Sequence, residues 1–172
     1  MNAVADTVIR RIRAKGRGWV FTPKDFLDVG TRATVDQTLS RLVRKGAIRR
    51  LDRGVYDYPK QHDKLGTLSP GADDLAQAIA AKTGDRIFPS GAAAANYLGL
   101  STQVPARPVY LTNGTSRTKK VAGRTITLKH ARVPIINTIT DRANFVLQAL
   151  SYLGQNNIDD TVIQRCADRM DN

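Results

Sequence analysis

GTRATVDQTLSRLVRKGAIRRLDRGVYDYP, residues 30–59, is the stretch on which the reading of this chain turns. Gly30 interrupts what precedes it. Thr31 is placed to cap a helix that ends near Lys45, with Gly46 just beyond. Val35, Leu39, Leu42 and Val43 recur at helical spacing and predict a buried face. Arg32, Asp36, Gln37, Ser40, Arg41 and Arg44 occupy the remainder. Residues 47–51 then read as a strand, Asp52-Arg53-Gly54 as a turn and residues 55–58 as the return strand. Leu39, Leu42, Ile48, Val55 and Tyr56 are expected in the core.

Upstream, Val4, Val8, Ile9 and Ile12 form a helical stripe over residues 3–15, opposite Arg10, Arg11, Arg13 and Lys15. Gly16 and Gly18 close that helix. Trp19, Val20 and Phe21 form a short strand-like link. Thr22 can cap a second, short helix whose first position suits Pro23, with Phe26, Leu27 and Val29 on its buried side. Three helices followed by a hairpin is the winged helix-turn-helix order, which we assign to residues 1–60.

Downstream, residues 61–70 are polar with Gly and Pro and read as a linker. Residues 71–172 read as a second unit. Helices are expected over 73–82, 92–98 and 141–153, and a last one capped by Asp159 or Asp160. Strands are expected over 86–88, 108–112 and 125–129. The predicted fold class is α+β: an N-terminal winged helix-turn-helix followed by a second small mixed α/β domain.

The net charge is +12, which favours a polyanionic partner. It is concentrated at the N-terminal end: residues 1–66 hold 15 Lys/Arg against 7 Asp. Cys166 is the only cysteine, so no disulfide within the chain and no cysteine-based metal site is expected. Its expected role is that of a small buried hydrophobe. The charged N-terminus lacks the apolar core of a signal peptide, and no run approaches a membrane span. The expectation is a soluble, cytoplasmic protein that needs no cofactor or metal.

Major-groove reading requires a helix whose exposed face carries hydrogen-bonding side chains. Thr31, Arg32, Thr34, Gln37 and Arg41 fit that requirement. Gln37 suits adenine through its amide, and Arg32 or Arg41 suits guanine N7 and O6. Thr31 and Thr34 are placed for a phosphate at the helix N-terminus. Arg44 and Lys45, late on the helix, suit the backbone. Arg49, Arg50 and Arg53 put three guanidiniums on or near the wing, for phosphate or minor groove. A solvated amphipathic face is the plainer explanation for any one Arg. It explains the whole set less well, because only Asp36 and Asp52 interrupt the run from Thr31 to Arg53. A single such unit covers one half-site, so specific binding points to a dimer or to paired sites.

A second basic segment spans residues 107–132, with seven Lys/Arg and no acid. Within it Arg117, Lys119, Lys120, Arg124 and Lys129 define a surface for a partner protein or for DNA, or simply a solvated hairpin. Catalytic constellations are sparse. His62 and His130 are the only histidines, and His130 beside Lys129 and Arg132 reads as a surface residue. No HExxH, Walker loop or GxSxG occurs. Asp73-Asp74 suits a helix start, and Pro89-Ser90-Gly91 suits a structural turn better than an anion seat. No catalytic residue is assigned.

The residues at Gly30-Thr31-Arg32, Leu39 to Gly46, Ile48 to Leu51 and Arg53 to Tyr56 resemble the N-terminal winged helix of AbiEi-type antitoxins of bacterial type IV toxin–antitoxin systems. Pro89-Ser90-Gly91-Ala92-Ala93-Ala94 entering Asn96-Tyr97-Leu98-Gly99-Leu100, then Pro108-Val109-Tyr110-Leu111-Thr112-Asn113-Gly114, is similar to that family's C-terminal region. The resemblance implies a transcriptional autorepressor that binds double-stranded DNA at repeats in its own promoter. It also implies a C-terminal domain that helps to counter a nucleotidyltransferase-like toxin. Three other readings stay open on the residues: a solitary winged-helix regulator without a toxin, the targeting subunit of a nucleic-acid enzyme, and an adaptor that docks an acidic partner through its basic hairpin.

Overall fold

The computed structural model describes residues 3–104 and 107–171 as a mixed α+β protein. Two compact units are present. The first runs to Gly84 and also takes in Lys119–Ile126; the second comprises Asp85–Thr118 and the chain from Thr127 onward. This division differs from the boundary at residue 71 drawn from sequence. The helix after the polar segment belongs with the winged helix, because it packs its apolar side on the strand at Val20–Phe21.

In the first unit, helix α1 (Ala3–Lys15) buries Val8 and Ile12. Strand β1 (Val20–Phe21) follows, then a 3₁₀ turn at Pro23–Phe26. The expected second helix is only this one turn. Asp25 accepts from both the backbone N–H (2.7 Å) and the hydroxyl (3.0 Å) of Thr22, which fixes its start. A three-residue period puts Pro23 and Phe26 on the inner side. Leu27, expected inside, is therefore turned out and 47% exposed.

Helix α2 (Arg32–Arg44) is capped by Thr31, whose Oγ1 accepts from the Thr34 N–H at 3.3 Å. It buries Val35, Thr38, Leu39 and Leu42. The Thr38 hydroxyl is satisfied by the Thr34 carbonyl at 2.8 Å. Strands β2 (Arg49–Asp52) and β3 (Val55–Asp57) form the wing, and β1 closes on the far side of β3 to give the antiparallel order β1-β3-β2. Gly54 makes the tight turn possible, with φ +70 in the left-handed region. The core beneath joins Val8, Ile12, Phe21, Phe26, Val35, Leu39, Leu42, Ile48 and Tyr56. Trp19 packs on its edge, 4.7 Å from the Phe21 ring centroid.

The segment expected to be a linker is ordered as a small hairpin of β4 (Gln61–His62) and β5 (Gly66–Thr67). His62 Nδ1 accepts from the N–H groups of Lys64 and Leu65, both at 3.2 Å, so this histidine holds a turn. Helix α3 (Ala72–Thr83) completes the unit.

In the second unit, strand β6 (Ile87–Pro89) leads into helix α4 (Gly91–Tyr97), capped by Ser90. Strands β7 (Val109–Thr112), β8 (Arg117–Val121) and β9 (Arg124–His130) join β6 in a sheet of order β6-β7-β9-β8, of which residues Lys119–Ile126 count with the first unit. β7 and β9 run parallel, with Leu111 opposite Lys129. Helix α5 (Asp141–Leu153) packs against α4 and helix α6 (Asp160–Asp171) through Ala94, Ala95, Leu98, Val146, Ala149 and Cys166. Cys166 is buried and its thiol pKa is pushed up by that burial, which suits an inert core residue. Among the described residues, no helix is long and apolar enough to cross a membrane.

Candidate nucleic-acid interface

Helix α2 presents two distinct edges to solvent. Arg32, Asp36 and Ser40, four residues apart, border a groove of about 430 Å³. Gln37, Arg41 and Arg44 stand at spacings of four and three and form a separate outer ridge, all exposed. The residues Arg32, Gln37 and Arg41, taken from sequence as one face, are thus split between groove and ridge.

Arg50 and Arg53 of the wing line the opposite wall of the groove, joined by Lys24 from the 3₁₀ turn and Lys82 from α3. Five cations therefore face one carboxylate, Asp36. That carboxylate is held by Arg32 Nε at 2.9 Å. Arg50 and Arg53 make no ion pair with the described residues, and neither do Arg41, Arg44 and Lys45 on the helix. The first turn of α2 contains no acid, so the positive end of its dipole is left uncompensated at Thr31 and Thr34. The Thr31 and Thr34 hydroxyls are 2.9 Å apart and already bonded to each other.

Arg49 stands apart from the other basic residues. Its Nε and Nη2 donate to the two oxygens of Asp57 at 3.0 and 2.5 Å, and Nη2 also donates to the Leu68 carbonyl at 2.8 Å. Asp57 is 1% exposed. The guanidinium neutralises a buried carboxylate directly across the β2–β3 pairing, and its Nε and Nη2 donors are used within the unit.

Two further contacts hold the wing. Lys119 Nζ meets Asp52 Oδ2 at 3.3 Å, and Lys82 Nζ donates to the Arg53 carbonyl at 2.7 Å. Burial works against the Asp52 carboxylate. The Arg53 backbone N–H, Lys119 and Lys82 outweigh it and hold its pKa below the ordinary value. The wing tip is thereby fixed with the Arg53 side chain still free.

The second basic segment is depleted in the same way. Arg117 pairs with Asp85 at 2.7 Å and Lys119 with Asp52. Lys120, Arg124 and Lys129 are exposed and make no ion pair with the described residues. Lys24 and Lys82 carry no local signal of a binding role in the sequence: Lys24 follows Pro23 in a short turn, and Lys82 ends a helix that the sequence places in the second domain. Among the described residues, no group of three His, Cys or Asp side chains could hold a metal ion.

Residues 7–171 match the model of DUF6088, a family of unknown function. No curated protein and no solved structure matches the chain.

Proposed function

We propose that this chain, which belongs to the DUF6088 family, is a double-stranded-DNA-binding transcriptional regulator of the antitoxin kind. The observation that carries the reading is the groove between α2 and the wing. Five cationic side chains converge there on a single carboxylate, beside an outer ridge of Gln37, Arg41 and Arg44. A duplex supplies what both edges require. The ridge enters the major groove, where Gln37 and Arg41 reach base edges. The phosphate backbone follows the basic groove, and Arg53 at the wing tip extends to the adjacent phosphates or minor groove. Arg49 takes a positioning role, holding β2 to β3.

The antitoxin part of the reading is supported by the resemblance of residues 89–114 to the AbiEi C-terminal region. It implies repeats in the chain's own promoter as operator and a nucleotidyltransferase-like toxin as the neutralised partner. The free cations left for such a partner are Lys120, Arg124 and Lys129. Fluorescence-anisotropy titration of the full chain with duplexes from its own upstream region tests the DNA-binding part. Binding that prefers those duplexes over shuffled ones, and that weakens when Arg41 and Arg53 are both replaced by Ala, is expected. Equal binding by the double variant would remove helix α2 and the wing as the interface. Co-expression with the neighbouring gene tests the antitoxin part, through rescue of growth.

A further inference from the structure

Arg32 and Asp36 form an ion pair on the groove edge of α2, Nε to Oδ2 at 2.9 Å. Their side chains are 55% and 47% exposed, so the pair adds little to stability. Its placement is also unfavourable for the helix. Thr31 is the cap, so Arg32 is the first helical residue and puts a cation at the positive end of the dipole. Asp36 comes a turn too late to compensate, and the first turn holds no acid. Helix formation therefore gives no reason for either charge to stand where it does.

Phosphate binding gives no reason for Asp36 either. It is the one carboxylate among five cations in the groove, and it repels a phosphate at that point. What the carboxylate does achieve is to fix the guanidinium. Only Nε of Arg32 is engaged; Nη1 and Nη2 make no hydrogen bond with the described residues. The planar fork is held by its Nε side, and its Nη1–Nη2 end stays free for a bidentate acceptor. Asp36 Oδ1 likewise makes no hydrogen bond with the described residues. Ala33, the exposed residue on the helix surface between this pair and Gln37, is too short to hold the first turn off a base edge.

Two parallel donors beside one acceptor complement a G·C pair in the major groove, which shows guanine N7 and O6 as acceptors and the cytosine N4 amine as donor. An A·T pair sets its adenine amine against the guanidinium and its thymine O4 against the carboxylate. We infer that Asp36 determines specificity at the α2–wing site: it holds Arg32 for a guanine, accepts from the cytosine amine and turns a phosphate away. The inference rests on the DNA-binding reading and deepens it. Arg32 then acts on a base, and the phosphate backbone is left to Lys24, Arg50, Arg53 and Lys82.

Duplexes of about 20 base pairs, long enough for two half-sites, are selected by the full chain from a randomised pool and sequenced. Fluorescence anisotropy on the preferred duplex and its single-pair variants then tests the inference. Exchanging one G·C pair for A·T should weaken the parent by at least about tenfold. Asp36→Ala should cut that penalty to about threefold or less, and should bind the A·T duplex at least as tightly as the parent does. An Asp36 that only supported the helix would instead show a uniform loss on both duplexes. Arg32→Lys, which keeps the charge without the fork, should lose the same preference with an unchanged salt dependence. Arg41→Ala should keep the preference at that pair. A parent that binds duplexes with no G·C preference overturns this inference alone, and so does an Asp36→Ala or Arg32→Lys variant that keeps the preference in full. A parent that retains no duplex overturns the proposed function and this inference together.

Discussion

Arg41, Arg53 and Arg49 have the same side chain and three different situations. Arg41 and Arg53 are exposed and make no ion pair with the described residues, so on the proposed function replacing them should affect binding and leave folding alone. Each Ala substitution should weaken duplex binding by about tenfold, since a good arginine contact contributes about 1–3 kcal/mol. The melting temperature should stay within a degree or two, measured by circular dichroism. Arg49→Ala should behave in the opposite way. It strands the buried Asp57 carboxylate, and loss of one partner of a buried pair costs about 3 kcal/mol. Denaturant unfolding should show that loss. An Arg49→Ala protein as stable as the parent would make Arg49 a candidate DNA contact again.

For the elements, cap and wing tip are the sensitive points. Thr31→Ala removes the acceptor for the Thr34 N–H and should destabilise α2 by about 1 kcal/mol, seen as faster amide exchange in the helix's first turn. The wing responds to acid through Asp52. A carboxyl whose folded pKa is lowered contributes fully above its ordinary value of 3.8 and loses that contribution as pH falls below it. Amide exchange at Arg53 and Val55 should therefore accelerate on going from pH 5 to below pH 3.8, beyond the intrinsic change. Asp52→Asn, which has no charge to lose, should show no such step.

Across the whole molecule, the balance of charge governs association. If about six cations neutralise phosphates, affinity should fall roughly a thousandfold between about 50 and 200 mM salt. Removing Arg50 and Lys24 together should lower the slope of log affinity against log salt by roughly two. The paired state of Arg117 and Lys119 also changes how a partner surface is to be probed. Reversing their charge would break ion pairs with Asp85 and Asp52 as well as any contact with a toxin. Reversal at Lys120 and Arg124 separates the two effects. It should weaken toxin neutralisation in co-expression while leaving promoter binding within about twofold.

Local periodicity and capping settled much of this protein before any tertiary contact was known. Thr31, the Val35–Leu39–Leu42 stripe and Gly46 delimit α2 in the chain as in the structure, because caps and apolar spacing are properties of neighbours in sequence. Asp52-Arg53-Gly54 marks the wing turn for the same reason, and residues 141–153 read as the helix they form. The polar segment 61–70 misled because a hairpin that short buries almost nothing and leaves no apolar alternation to read. Leu27 misled because a single 3₁₀ turn and a short α-helix share the same residues but not the same period. Which basic residues remain available was a matter for the tertiary structure alone. Asp57 lies eight residues from Arg49, Asp52 lies 67 from Lys119, and Asp85 lies 32 from Arg117. Charge counted along a chain cannot show such pairings, since an ion pair depends on separation in space. The same holds for Lys24 and Lys82, which join the groove only once α2, the wing and α3 are packed together.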